Sequence, residues 1–389
     1  MRILIAAERL GSAGGMERYL EVLLPKLTAR GVTVRVLARQ IDAVPPGVIA
    51  DQVAWAEEHD APSAAARAAV ARELAAFRPQ VAVAHNVMDA GVIEAMRGAE
   101  RLVYHVHDHR PFCPNGDRVF PRSSRNCTEP LGRACAVHSL TDGCAYGPRR
   151  RTAQLIRNRE RLRDAIAASD GVIVASRYVA QRALESGIAQ RRILEITPPL
   201  PDEAYAEPGA AAPRSRDVVF AGRVVPQKGL DSLIRAVAGI AADRRPRVRA
   251  FGDGSALADI RAEASRLGVE LDAPGTVSAP ALRAALDDAA LLALPSRWAE
   301  PFGYVGIEAF ARARPVVAFE VGGVRTWLQH DRNGVAVSAG DETALGAEID
   351  ALLDDDARRE RLSRAARADA ERYRATTIVD ALATAYRLA

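Results

Sequence analysis

Short apolar runs alternate with longer amphipathic segments along the first half of the chain. Helical patterns at Met16–Arg30 and Ser63–Phe77 stand between such runs, and Gly31 follows the first of them as a helix-ending residue. The apolar runs have the length and composition of buried strands, and they occupy Arg2–Ala7, Val32–Ala38, Val81–His85, Arg101–His107, Gly171–Ala175 and Arg191–Ile196. Strands that alternate with helices predict βαβ units around a parallel sheet, and therefore an α/β fold.

The same alternation resumes after a segment rich in proline and alanine, from Thr197 to Arg214, which has the composition of a linker. Apolar runs of strand length follow it at Asp217–Ala221, Arg247–Phe251, Val269–Asp272, Ala290–Pro295, Val316–Phe319 and Gly334–Val337. Because 389 residues are long for one hydrophobic core, we expect two domains, over residues 1–205 and 214–373.

Composition narrows the range of functions. Hydrophobic residues make up 49% of the chain, which is enough for sizeable cores, and no apolar run reaches the length of a membrane span. The first residues form a strand pattern rather than a secretion signal, so we expect a cytoplasmic protein. A net charge of +4 suits anionic substrates. The chain has no basic tail and no nucleic-acid-binding motif, and we therefore expect no nucleic acid partner.

The most informative stretch runs from Ser296 to Ala309 and contains two carboxylates, Glu300 and Glu308, with seven residues between them. A predicted strand precedes this stretch, and a helical pattern begins after Gly303. The carboxylates therefore lie on the loop that leaves a strand and in the following helical turn, where α/β sheets bind ligands. The helix N-terminus would attract a phosphate, and glycine would let it come close. An ordinary acidic first turn of a helix is the alternative interpretation.

Two cations in a second loop point to the same ligand chemistry. The segment Gly222-Arg223-Val224-Val225-Pro226-Gln227-Lys228-Gly229 lies between a predicted strand and a predicted helix, so both cations can converge on a diphosphate. Nearly all of the 53 basic residues are arginines, and a lysine at position 228 therefore indicates a place that arginine does not fill. The alternative is a surface turn with two exposed cations.

Three further loops follow predicted strands. Gly14 and Gly15 stand between the first strand and the first helix, which is a typical anion-binding arrangement, although a tight turn also needs glycine. Gly252 opens a Gly-Asp-Gly-Ser turn in the second half, and Val277 lies in the turn after the next strand.

Together these segments resemble the retaining glycosyltransferases of family 4, which have the GT-B fold. The resemblance covers nearly the whole chain and is most specific from Gly222 to Gly323. It implies two doubly wound, Rossmann-like domains that face a central cleft, with the last segment, 374–389, crossing back to the N-terminal domain. It also implies a nucleotide diphosphate sugar as the donor, bound mainly by the C-terminal domain, and an acceptor bound by the N-terminal one.

The resemblance assigns roles to individual positions. Arg223, Lys228 and Glu300 match residues that act on the donor, and His107 matches a histidine that contacts the sugar or the acceptor. Glu308 would hold the ribose, and backbone groups near Val277 would contact the base. The full donor-binding set comprises Gly14, Gly15, Gly222, Arg223, Lys228, Gly252, Val277, Gly303, Tyr304, Val305 and Glu308.

The implied reaction moves a sugar to an acceptor hydroxyl with retention at the anomeric carbon. Positive side chains would stabilise the leaving group, so no divalent metal is expected in catalysis. No carboxylate is clearly placed as a covalent nucleophile, which favours front-face attack. A nucleotide-sugar epimerase or a phosphorylase on the same fold, and a sugar-binding subunit without catalysis, are the alternatives.

Three histidines, His105, His107 and His109, cluster at the end of a predicted strand. Alternation along a strand places these odd-numbered positions on one face. A metal site and a ligand-binding edge both explain the cluster, and His107 is the best match to the histidine of the family. For each of the three, a histidine packed in the core or bonded to backbone is the plain alternative.

All four cysteines, Cys113, Cys127, Cys135 and Cys144, lie in one insertion at about 110–148. A loop of this length is usually functional or held by a ligand. In a reducing compartment, four clustered thiols favour a metal over disulfides, and we expect a structural zinc. The spacing lacks a C-x-x-C pair, so two disulfides and four unrelated thiols are the alternatives.

A strongly basic helical pattern, Arg149–Arg163, follows the insertion. It predicts either a solvated helical face, with Glu160 and Asp164 as ion-pair partners, or a surface for anionic lipid or a phosphorylated acceptor. The second interpretation would bring the protein to the inner face of the membrane as a peripheral protein.

Overall fold

The computed structural model describes residues 1–11, 15–56, 60–123, 125–144, 149–206 and 215–387. The chain divides into two compact units. The first unit combines Met1–Pro199 with Ala375–Ala389, and the second unit is Leu200–Arg374. The chain therefore leaves the first unit, forms the second, and returns to the first.

The described residues of the first unit form a parallel sheet with helices between its strands. The strands are β1 (Arg2–Leu10), β2 (Thr33–Ile41), β3 (Ile49–Gln52), β4 (Val81–His85), β5 (Arg101–Val106), β6 (Gly171–Val174) and β7 (Ile193–Glu195). They pair in the order β3-β2-β1-β4-β5-β6-β7. The helices are α1 (Gly15–Ala29), α2 (Ala64–Phe77), α3 (Ala90–Met96), α4 (Arg133–Thr141), α5 (Arg149–Ala167) and α6 (Arg177–Glu185).

The second unit repeats this architecture. Its described strands are β8 (Val218–Ala221), β9 (Val248–Phe251), β10 (Leu271–Gly275), β11 (Leu291–Leu294), β12 (Val316–Phe319) and β13 (Gly334–Val337). They form a parallel sheet in the order β10-β9-β8-β11-β12-β13. The helices are α7 (Leu230–Ala238), α8 (Leu257–Leu267), α9 (Ala279–Asp288), α10 (Tyr304–Ala311), α11 (Glu342–Asp354) and α12 (Asp356–Ala370). The last helix of the chain, α13 (Ala375–Tyr386), belongs to the first unit.

Both faces of the first sheet are buried, which explains why its strands read as unbroken apolar runs. Along β1, Ile3 and Ile5 belong to the core on one face, and Leu4 and Ala6 belong to the core on the other. The first of these cores also contains residues of α1 and α13, including the fully buried Tyr386. The returning helix is thus an integral layer of the first unit.

Serine side chains cap the N-termini of three helices. Ser63 accepts a hydrogen bond from the amide of Ala66 at the start of α2. Ser176 and Ser278 cap α6 and α9 in the same way. These caps satisfy backbone donors that the first helical turn leaves without partners.

Two regions differ from the sequence patterns. Strand β3 lies in a stretch without clear periodicity, because it is the edge strand and none of its residues is fully buried. The insertion at 110–148 contains a bridge between Val119 and Asn126 and the helix α4. No residue of α4 is buried, and a helix without a buried face produces no apolar period to detect. Within the described residues, none of the helices has the length and apolar character needed to cross a lipid bilayer.

Candidate active site

The loops that carry the predicted donor motifs lie side by side at the carboxyl edge of the second sheet. The amide of Gly222, after β8, donates to Phe251 O at 2.9 Å, and the amide of Gly252, after β9, donates to Gly275 O at 2.8 Å. A Cβ atom at position 252 would lie 1.9 Å from Gly222 O, so only glycine lets these two loops meet. Val277 lies two residues past β10, just before the cap of α9. The sheet therefore brings three of the predicted loops together.

Lys228 and Glu300 form an ion pair at this edge. Lys228 Nζ lies 2.6 Å from Glu300 Oε1, with the lysine side chain 17% exposed and the glutamate side chain 5% exposed. The ammonium group also lies 4.8 Å from the centre of the Trp298 ring, which is a cation–π contact. The structure thus joins two predicted site residues that are far apart in sequence.

The carboxylate of Glu300 is stabilised in its charged form. Burial by itself would raise the pKa of Glu300. The charge of Lys228, together with hydrogen bonds from Lys228, Ser296 and Trp298, outweighs burial and holds this pKa below its ordinary value. At neutral pH the pair is therefore an ion pair with a fixed geometry.

Backbone contacts fix the loops around this ion pair. Gly229 has a φ of 73° and ends the single helical turn Pro226–Lys228. A Cβ atom there would lie 2.0 Å from the carbonyl oxygen of Pro295, so this loop directly touches the residue that follows β11. On the other side of Glu300, its carbonyl accepts the amide of Gly323 at 2.6 Å.

Three residues that support the site were not predicted as functional. Ser296 donates its hydroxyl to Glu300, and Trp298 lies against Lys228. Arg297 makes a two-point ion pair with Asp231, at 2.9 and 3.1 Å, and its amide donates to Gln227 O. All three lie within the motif that contains Glu300. Their place in that motif was the only feature of the sequence that could have indicated a supporting role.

The other predicted donor residues occupy the same edge. Arg223 is exposed and makes no ion pair with the described residues, so its guanidinium is available to a ligand. Gly303, with a φ of 83°, is the N-cap residue of α10, and no side chain caps this helix. Tyr304, Val305 and Glu308 are half-buried in the first two turns of α10.

In the first unit, the half-buried His107 joins the buried His85 and His105 in a cluster of aromatic rings at the ends of β4 and β5. His107 Nε2 lies 2.9 Å from Nδ1 of His85, and Nε2 of His105 lies 2.8 Å from the hydroxyl of Tyr386. The ring of Tyr19 contacts all three imidazoles, with centres 5.0–5.5 Å apart. His85 was not predicted as a site residue.

Burial keeps the clustered imidazoles neutral. It lowers the pKa of His107 to about 4, although the nearby Asp108 carboxylate acts in the opposite direction. Burial, and then the charges of the neighbouring imidazoles, hold the pKa of His85 well below its ordinary value. Burial, and then the charge of His107, lower the pKa of His105 in the same way. Neutral imidazoles can hydrogen-bond or bind metal, so the ring geometry must decide between these roles.

The ring geometry favours hydrogen bonding. Within the described residues, His85, His105 and His107 are the one group whose ligand atoms lie within 4.8 Å of one another. The ring planes are nearly parallel, at 19–24°, and nitrogen lone pairs lie in the ring plane. The ring of His105 stacks on that of His85, with centres 4.3 Å apart, so the lone pairs of these two rings lie in separate planes and do not meet at one ion. The metal alternative for this cluster is therefore disfavoured.

The remaining predicted residues of the first unit are placed as follows. Gly14 lies outside the described residues, and Gly15 begins α1. His109 is fully buried, and its ring contacts the ring of Tyr178. His109 therefore fits the alternative of a packed core histidine.

The four cysteines are free thiols. Cys113 is buried, and Cys127, Cys135 and Cys144 are half-buried. They do not form a group of ligand atoms as tight as the histidine cluster, taking the described residues alone. Burial, and then the charges of Cys113, Cys127, Asp142 and Cys135, raise the pKa of Cys144 to about 12. The four sulfur atoms are thus electrostatic neighbours without converging on one point.

Two family models together match most of the chain. A model described as Glycosyltransferase Family 4 matches residues 13–203, and a model described as Glycosyl transferases group 1 matches residues 202–369. The second match contains the loops with Arg223, Lys228, Glu300 and Glu308.

Two relatives with known names extend this result. The D-inositol 3-phosphate glycosyltransferase of Kineococcus radiotolerans is 31% identical over 92% of this chain and 86% of its own length. The protein of that name from Xylanimonas cellulosilytica is 35% identical, but the chain spans only about half of it, 54%.

Solved structures resemble the fold over the whole chain. Anabaena HepE in complex with UDP has a TM-score of 0.73 at 19% identity, and both chains are covered completely. Sucrose-phosphate synthase from Thermosynechococcus elongatus has a TM-score of 0.72 at 18% identity, covering 99% of this chain and 98% of that one. The likeness confirms the predicted GT-B fold class, and the relative that aligns over most of the chain shows that this protein belongs to the glycosyltransferases of family 4.

Proposed function

We propose that this protein transfers a sugar from a nucleotide diphosphate to an acceptor hydroxyl, with retention of configuration at the anomeric carbon. The Lys228–Glu300 ion pair is the observation that carries the proposal. The buried carboxylate of Glu300 holds a lysine on the loop that also bears the exposed Arg223. Four residues after Glu300, α10 begins at Tyr304 with an N-terminus that no side chain caps. Two cations and a helix N-terminus suit a diphosphate, and a fixed carboxylate suits sugar hydroxyls.

The residues have distinct roles in the proposed reaction. Arg223, Lys228 and the N-terminus of α10 stabilise the charge that develops on the diphosphate as the C1–O bond breaks. The acceptor oxygen attacks C1 from the same face, and its proton passes to the phosphate oxygen that leaves. Glu308 holds the ribose, Glu300 orients the donor sugar, and the turn at Val277 contacts the base. His107 contacts the sugar or the acceptor.

The names of similar proteins suggest the first substrates to test. One structure of HepE contains UDP-glucose, and the relatives are named for D-inositol 3-phosphate. We therefore propose a UDP-sugar as donor and a phosphorylated polyol as acceptor. Purified protein is incubated with UDP- and GDP-sugars and inositol phosphates, and products are followed by mass spectrometry. Proton NMR of the new linkage tests for retention.

The expected result is a product that needs both substrates and is lost in the Lys228→Ala variant. Release of free sugar or of an epimer, without transfer, would refute the proposed activity. If none of the nucleotides raised the melting temperature of the protein, the proposed donor site would be refuted.

We also propose that catalysis needs no divalent cation, because Arg223 and Lys228 supply the positive charge that a metal supplies elsewhere. The transfer rate should be the same with excess EDTA as with Mg²⁺. A rate that falls with EDTA and returns with Mg²⁺ would contradict this proposal.

A structural zinc on Cys113, Cys127, Cys135 and Cys144 is a separate proposal. The four free thiols lie in one segment, and burial, followed by the charges of neighbouring groups that include the other three thiols, raises the pKa of Cys144. Zinc binding would draw the sulfur atoms together and displace their protons. Protein purified without added metal should contain about one equivalent of zinc. Less than half an equivalent, with four titratable thiols, would contradict the proposal.

We propose, finally, that the first unit binds an anionic lipid surface. Residues 110–163 contain twelve arginines and only four acidic residues. Arg159 is buried and Arg161 pairs with Glu94, so α5 contributes Arg150, Arg151 and Arg157, which are exposed. The neighbouring α4 exposes Val137 and Leu140, at 57% and 59%. Exposed apolar side chains amid arginines are typical of an interfacial helix.

Vesicle sedimentation tests the lipid proposal. Vesicles with phosphatidylglycerol should retain the protein at low salt, and neutral phosphatidylcholine vesicles should not. Leu140→Asp should weaken retention, whereas Val44→Asp, at a similarly exposed position elsewhere in the first unit, should not. Equal retention by both vesicle types, or equal effects of both variants, would contradict the proposal.

A further inference from the structure

His85 and His107 are joined by a hydrogen bond that the proposed reaction does not explain. His85 is the last residue of β4, and its partner on β5 is His105, two residues before His107. The Nδ1 atom of His85 lies 2.9 Å from Nε2 of His107. The amide of His107 also donates to the side chain of Asn86, at 3.2 Å. Both the ring and the backbone of His107 are thus held by the end of β4.

Because both rings are neutral, one nitrogen of the pair must carry the hydrogen and the other must accept it. In the first arrangement, His85 donates from Nδ1, and its own Nε2 keeps a lone pair. In the second, His107 donates from Nε2, and His85 must then carry its hydrogen on Nε2. The two arrangements leave different atoms of His85 buried.

The environment of His85 Nε2 distinguishes them. His85 is completely buried, and its Nε2 has no hydrogen-bond partner among the described residues. Among backbone groups, a buried N–H without a partner is rarer than a buried acceptor without one, and we apply the same rule to this ring nitrogen. The first arrangement, which leaves only a lone pair at Nε2, is therefore the favourable one.

We propose that His85 is a positioning residue that donates to Nε2 of His107 and so fixes His107 as the tautomer protonated on Nδ1. Nδ1 of His107, the ring nitrogen that His85 does not contact, then carries the hydrogen and is the donor that His107 offers to a substrate. His107 cannot act as a general base through Nε2, because His85 occupies that nitrogen. This inference rests on the proposed function for its use of His107, and it fits a reaction in which the leaving phosphate takes the proton.

Nitrogen-15 NMR of histidine-labelled protein tests the tautomer without any substrate. Long-range proton–nitrogen correlations identify which ring nitrogen carries hydrogen. His138 serves as an internal reference, since its Nδ1 lies 2.9 Å from the Asp142 carboxylate and donates to it. His107, assigned by its loss in His107→Gln, should show the same pattern as His138. A His107 ring protonated on Nε2 in the unaltered protein would overturn the proposal.

Two substitutions at His85 separate positioning from folding. His85→Asn places an amide N–H near the original Nδ1, so the His107 tautomer should persist. His85→Asp offers only an acceptor there, so His107 should become protonated on Nε2. If sugar transfer occurs, the Asn variant should keep the rate within about threefold, and the Asp variant should lose about fivefold or more. An unchanged tautomer in the Asp variant would refute the role of His85, whereas absence of transfer with the expected tautomers would refute only the proposed function.

Discussion

Replacing Lys228 by alanine should destabilise the second unit, and the loss should depend on pH. The substitution leaves the carboxylate of Glu300 buried without its partner. Breaking a buried ion pair on one side costs about 3–5 kcal/mol. The side chain of Lys228 keeps 17% exposure, so we expect a loss at the low end, of about 3 kcal/mol. For a unit of this size, that corresponds to a fall in melting temperature of roughly 6–12 °C.

The direction of the pH dependence follows from the pKa of Glu300. In the unaltered protein this pKa is depressed, so Glu300 stabilises the fold above its unfolded pKa, and that contribution disappears as the pH falls through the folded pKa. Without Lys228, burial dominates and raises the pKa, so the charged carboxylate opposes folding at neutral pH. The difference between the two proteins should therefore be largest near pH 7.5 and should shrink towards pH 4.5.

Urea unfolding at these two pH values measures the effect. Trp298 and Trp327 lie in the second unit and provide a fluorescence signal for it. Adding Glu300→Gln to the Lys228→Ala variant should recover much of the lost stability, because no buried charge is then left without a partner. Arg364→Ala removes an exposed ion pair with Glu360 and should cost at most about 0.5 kcal/mol. A loss from Lys228→Ala that is equal at both pH values, or fully additive with Glu300→Gln, would refute the reasoning.

Three further predictions concern single residues. Glu308→Ala should lower turnover in steady-state kinetics by roughly a hundredfold if Glu308 positions the ribose, and an unchanged melting temperature would show that the variant is folded. Gly229→Ala should cost at least about 2 kcal/mol in urea unfolding, because the left-handed backbone and the contact with Pro295 O exclude a Cβ atom; a neutral effect would contradict this contact. Tyr19→Phe should change the free energy of unfolding by less than about 1 kcal/mol, because the buried hydroxyl has no partner among the described residues, and a larger loss would reveal one.

The donor edge could be predicted because its motifs are local. Each candidate residue follows an apolar run by a few positions, and a parallel sheet gathers the carboxyl ends of its strands on one edge. Positions such as Gly222, Gly252 and Glu300 could therefore be grouped from the sequence alone. The direct contact between Lys228 and Glu300 could not, because the two residues are 72 positions apart and were assigned to different parts of the donor.

The histidine cluster shows what sequence reasoning lacked. His85 ends an apolar run, as His105 nearly does, but only the strand order places β4 beside β5 and sets these two residues opposite each other. Tyr386 contacts His105 from almost the other end of the chain. The spacing of His105, His107 and His109 suggested one shared role, whereas the structure separates the buried His109 from the other two.

The return of α13 to the first unit has a consequence for biosynthesis. The helix covers the same face of the first sheet as α1, and Tyr386 completes the surroundings of His105. During translation the whole second unit leaves the ribosome before this helix does, although N-terminal domains generally fold first. Until then, the nascent first unit exposes an apolar strip where α13 will dock. We expect chaperones to cover that strip while the chain is being made. A premature stop before codon 375 should yield protein that aggregates, although both sheets are encoded.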